Sequence, residues 1–160
     1  MIRFEWDEEK NRINLRKHGI SFARAAQVFD DPQVVFLADR VVEDEERWQA
    51  IGVIEGVTLI LVAHTIREHG ACEVIRIISA RKAVASEGDF MKNSMVSYTR
   101  ETLPSMDAEE RQQLRKLATL PDDQVDTSEI PVVTPEQTKG AVRGWGNHPG
   151  RARNRGKHAA

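Results

Sequence analysis

Ile2 and Phe4 alternate with Arg3 and Glu5, the period of a short strand. Asp7 then stands before Glu8 and Glu9, a helix cap followed by first-turn acids that favour the helix dipole. Asn11, Asn14, Leu15 and His18 recur at helical spacing, Lys17 and His18 fall in the last turn, and Gly19 supplies the stop. Ser21 opens a second helix with Ala25, Val28 and Phe29 on one face, closed by Asp30, Asp31 and Pro32. Four strands follow, at 34–38, 48–56, 57–66 and 74–80. Glu55-Gly56 suits a tight hairpin turn, and the run 57–66 is too apolar for a sheet edge. Trp6 and Trp48 read as core, His64 as a packed, hydrogen-bonded histidine, and the acids 43–46 as a solvated loop. The prediction is an α+β domain: two N-terminal helices on one face of an antiparallel β-meander.

After Lys82 the apolar pattern thins, and only Phe90, Tyr98 and Trp145 among the aromatics lie beyond residue 83. The expected division is a domain at 1–85, a linker at 86–97, a mostly helical segment at 98–145 and a disordered basic tail at 146–160. Within the segment, 105–118 predicts an amphipathic helix with Met106, Leu114, Leu117 and Leu120 on its apolar side. AVASEGDF supports little helix beyond a first turn. Charge is segregated: nine acids and four bases lie between Arg100 and Thr138, then six bases and no acids from Lys139 onward.

Composition narrows the class. The formal net charge is −2, so bulk charge does not announce a nucleic-acid partner. One cysteine, Cys72, excludes an internal disulfide framework and fits a reducing compartment. No apolar run reaches membrane-spanning length and no signal-peptide region opens the chain, so a cytoplasmic protein without membrane partners is expected. No Cys/His/Asp cluster has metal-site spacing, and neither metal nor cofactor is expected.

The motifs FEWDEEKNRINLRKHGISF, AAQVFDDP, ERWQAIGVIEG and RIISARKA, in that order over residues 2–83, resemble the BrnT family of type II toxins. The resemblance implies a RelE-like ribonuclease fold, a metal-independent endoribonuclease acting on RNA, and a stress-response role. YTRETLPSMDAEERQQLRKLATLPDDQVDTSEIP resembles the N-terminal part of the BrnA antitoxin. That implies an inhibitory partner segment in cis at 98–145, and a BrnA-like antitoxin as partner in trans as well. No ribbon-helix-helix pattern follows Pro131, which argues against DNA binding.

Metal-free RNA cleavage needs a base for the 2′-hydroxyl, donors for the phosphorane and an acid for the leaving oxygen. Against this resemblance, the catalytic candidates are Arg81, Arg76, His18 and Arg67, with Lys17 and Lys82 for RNA binding. Arginine suits phosphate geometry and histidine titrates near neutrality. Arg76 and Arg81 have odd separation, so a regular strand sends them to opposite faces, while a bulge near Ala80 would bring them together. Each arginine also reads as a solvated strand end, and His18 as a dipole-matched last-turn residue. The acids of 98–145 are candidates to cover these cations. Two other functions stay open: an inactive toxin fold that binds a BrnA-like antitoxin, and a transcriptional autoregulator.

Overall fold

The computed structural model describes residues 1–56, 58–91 and 107–151. The predicted Met106 and Ser105 of the amphipathic helix, residues 92–97 of the linker and the tail from 152 onward lie outside the described residues. The fold is α+β. A six-stranded mixed sheet runs in the order β1 (Ile2–Glu5), β5 (Cys72–Lys82), β4 (Thr58–His69), β3 (Glu45–Ile54), β2 (Val35–Val42), β6 (Val142–Arg143). The meander β2 to β5 is antiparallel as expected, while β1 joins its edge in parallel with β5. Each strand of the meander extends past its apolar stretch, because charged residues such as Glu45, Glu46, Arg67 and Glu68 continue the ladder into exposed hairpin ends. Glu43 and Asp44, read as loop, form the β2–β3 turn with φ of 51° and 62°. Two consecutive positive φ values match the twist of a two-residue hairpin.

The first helix, α1 (Glu8–His18), starts at Asp7, whose side chain accepts from the Lys10 amide, and ends at Gly19 with φ 72°. The second, α2 (Phe22–Ala25), is capped by Ser21 and runs into a 3-10 turn at Ala26–Asp30. The second helix and its 3-10 turn pack on one sheet face over Phe36, Ala50, Ile60, Val62, Ile75 and Ile77, while α1 lies against β5. Asn14 ties α1 to the edge of β5 beyond the reach of β1. Its Oδ1 accepts from the Ala80 amide at 3.0 Å and its Nδ2 donates to the Ile20 carbonyl at 2.9 Å.

The later half of the chain completes this fold instead of trailing from it. Helix α3 (Ala85–Met91) runs through residues that AVASEGDF was expected to leave as linker. Helix α4 (Ala108–Ala118) begins at Asp107 in a capping box with Glu110 and buries Leu114 and Leu117 in the helix-side core. Its Glu110 forms a two-pronged ion pair with Arg24. On the opposite sheet face, Ile130 fills a second core with Val35, Leu37, Ile51, Leu61 and Ala83. A short α5 (Pro135–Lys139) leads into β6, which pairs with β2. Packed structure then continues past residue 146, where sequence composition predicts disorder. His148 is buried among Phe36, Trp48, His64 and Trp145. Among the described residues no helix is long and apolar enough to cross a membrane.

Candidate active site

The site forms where the C-terminal turn of α1 meets the exit of β5. A β-bulge decides which side chains share it. Ser79 pairs with Ala63 and Ile77 with His64, so Ile78 is an extra residue in β5. The insertion resets the alternation. Arg76, beside Thr65, and Ser79 and Arg81, beside Ala63 and Leu61, all fall on the face away from α2.

Residues 126–133 lie across this face as a strap with bends at 128–130. Glu129 is the centre of the contact. Its carboxylate accepts from Lys17 Nζ at 3.1 Å and from the Ser79 hydroxyl at 2.8 Å, and lies 3.7 Å from His18 Nε2. Asp126 sits 3.6 Å from the same Lys17 ammonium. An ammonium, a hydroxyl and an imidazole around one anionic group form the donor set that a phosphate diester would meet. Burial pushes the Glu129 carboxyl up, but the Ser79 hydroxyl and Lys17 outweigh it, and the net shift is downward. The hydrogen bond to Glu129 raises Lys17. Burial lowers His18 against the pull of Glu129, which favours a neutral ring, and its Nε2 is buried without a hydrogen-bond partner.

The other candidates are placed differently. Arg81 is fully buried and forms a two-pronged pair with Glu87 of α3 at 2.8 and 3.0 Å. Its remaining hydrogen bonds go to the carbonyls of Lys82, Ile130 and Pro131. All five guanidinium N–H groups are thereby used, and none points to solvent. Glu87 in turn accepts from the Val84 and Val133 amides. Lys82 donates to the carbonyls of Ala118 and Leu120, at the end of α4. Arg67 is exposed and paired with Glu45. Arg76 sits between Glu5 and Thr65 on the open half of the face. The structure thus groups Lys17 and His18 with Ser79, sets Arg81 and Lys82 beneath the strap and the end of α4, and leaves Arg67 and Arg76 apart.

Sequence reasoning missed Ser79 and Arg47. Ser79 is unremarkable in SARK, and only the bulge aims it at Glu129. Arg47 lines a groove of about 480 Å³ beside the strap, together with Lys10, Arg40, Ser79 and Glu129. Its signal was the alternation in ERWQA, where Trp48 and Ala50 face the helices and Arg47 and Gln49 face away.

The chain belongs to the BrnT family, since the family model for the BrnT ribonuclease toxin of type II toxin–antitoxin systems matches residues 6–87. The chain is also similar to the crystal structure of the ribonuclease toxin BrnT of Brucella abortus, with 28% sequence identity over 52% of this chain and 97% of that one, at a TM-score of 0.39. No curated protein matches the chain. The family is one of ribonuclease toxins, which act on RNA and are paired with an antitoxin.

Proposed function

We propose that this chain is a RelE-like, metal-independent endoribonuclease held closed by its own antitoxin-like segment, residues 98–145. The observation that carries the reading is the carboxylate of Glu129 among Lys17, His18 and Ser79. With the strap displaced, a phosphate diester takes the place of that carboxylate. Neutral His18 accepts the 2′-hydroxyl proton, and the 2′-oxygen bonds to phosphorus. Lys17 and Ser79 stabilise the charge on the non-bridging oxygens. The bond from phosphorus to the 5′-oxygen breaks, and the imidazolium returns its proton to that oxygen. The products are a 2′,3′-cyclic phosphate and a 5′-hydroxyl. Arg76 and Arg67 are assigned to the neighbouring phosphates; Lys82, turned to the α4 side of the sheet, is not among them. Arg81 keeps Glu87 as its partner and shapes the floor.

Tethering favours the closed state, because a linked segment acts at an effective concentration on the order of mM. The same surface, emptied of its strap, fits a BrnA-like antitoxin in trans. The test is cleavage of a structureless RNA by the full chain carrying Asp126→Asn and Glu129→Gln, in chelator, with product ends identified. Cyclic phosphate ends support the reading. A folded variant that leaves RNA intact, or yields 3′-hydroxyl ends, overturns it.

A further inference from the structure

The strap covers only part of the sheet face. Beside it lies the open groove of about 480 Å³, large enough for one or two nucleotides. Three elements supply its cations: Lys10 from α1, Arg40 from β2 and Arg47 from β3. Its floor and rim are apolar at Ile13, Ala63 and Ile78, and Ile13 is exposed. Asp39, Ser128 and Glu129 also face it. At the adjoining positions of the same face, Gln49 and Thr65 are each 1% exposed, yet Gln49 Oε1 and Thr65 Oγ1 have no hydrogen-bond partner. The same holds for Arg47 Nε. Of these three residues Arg47 lines the groove, and its unpartnered Nε is costly unless a ligand or water meets it.

We infer that this groove is a single-stranded RNA-binding site that stays accessible while the cleavage site is strapped, so the chain binds RNA without cutting it. The inference rests on the ribonuclease reading for its choice of ligand. Phosphates lie along Lys10, Arg40 and Arg47, the positively charged groove that tracks a single strand's backbone, and a base rests on the apolar Ala63–Ile78 floor.

The experiment is fluorescence anisotropy of a labelled hexaribonucleotide with the full chain at several salt concentrations, with the RNA recovered afterwards and sized. The comparisons are Lys10→Ala/Arg47→Ala, Arg47→Lys, and Arg153→Ala/Arg155→Ala/Lys157→Ala in the basic C-terminal stretch. Binding of intact RNA by the wild type is expected. The groove pair should weaken it at least tenfold and flatten the salt slope by about 1.4, since each lost phosphate contact removes ~0.7. Arg47→Lys should retain most of the binding, and all variants should melt like the wild type. If the C-terminal variant abolishes binding and the groove pair does not, the inference is overturned, as it is if no RNA binds. Failure of the activated chain to cut, with groove binding intact, sinks the ribonuclease reading alone.

Discussion

Glu87→Ala isolates the role of Arg81. The pair is 0% and 1% exposed, so the substitution strands a guanidinium in the interior. Removing one partner of a buried ion pair costs ~3–5 kcal/mol, because the remaining charge has lost its partner without regaining water. The amides of Val84 and Val133 also lose their acceptor, which places the cost toward the upper end. Urea unfolding of the full chain should show this as a large fall in midpoint with little change in slope. The companion variant is Arg81→Met/Glu87→Met. An apolar pair of similar volume removes both charges, so it should recover most of the loss, leaving a coupling of at least ~2 kcal/mol in the double-mutant cycle. Glu87→Ala within ~0.5 kcal/mol of wild type would refute the reasoning, and so would strictly additive single variants. Either result would mean that the guanidinium has another partner, and Arg81 would return to the list of RNA contacts.

Two further predictions concern the C-terminal anchor. His64 Nδ1 donates to the Val62 carbonyl, so its Nε2 accepts from His148 Nε2 at 2.9 Å, and His148 Nδ1 accepts from the Gly150 amide. Both rings are neutral in this arrangement, and burial lowers His64 to about 3 and His148 to about 4 from 6.5. The unfolded chain takes up these protons first, so stability is full above pH 6.5 and falls as pH drops toward 4, by ~1.4 kcal/mol per pH unit for each ring. Melting temperatures should decline below pH 6.5, and His148→Gln should flatten that decline; an unchanged slope would contradict the pairing. Gly150→Ala would place a Cβ 2.5 Å from Ile66 Cγ2 and 3.0 Å from the His148 ring. It should destabilise by ~1–3 kcal/mol and shift Trp145 fluorescence, and a neutral effect would deny tight packing there.

Local chemistry made much of the domain legible. Asp7, Gly19 and Ser21 cap as their types require, and Glu55-Gly56 turns with φ of 53° and 64°. The Glu43-Asp44 turn escaped notice because neither residue is the glycine or asparagine that usually marks such a hairpin. The parallel partnership of β1 with β5 is a choice of tertiary packing, invisible in a four-residue strand. Arg81 looked like a strand-end cation because its partner Glu87 sits in a helix that glycine-containing SEGDF does not advertise. Trp145 and His148 were lost in a polar, basic stretch, since two aromatic anchors among charges leave no periodicity to read.

In the proposed mechanism Glu129 occupies the place of a phosphate. The most direct measurement is the RNA cleavage rate of the full chain beside Glu129→Gln and Glu129→Gln/His18→Ala, all checked for folding by circular dichroism. Glu129→Gln should cut at least tenfold faster than wild type, and adding His18→Ala should abolish the gain. Equal rates for the folded wild type and Glu129→Gln, or a gain that survives loss of His18, would contradict the mechanism.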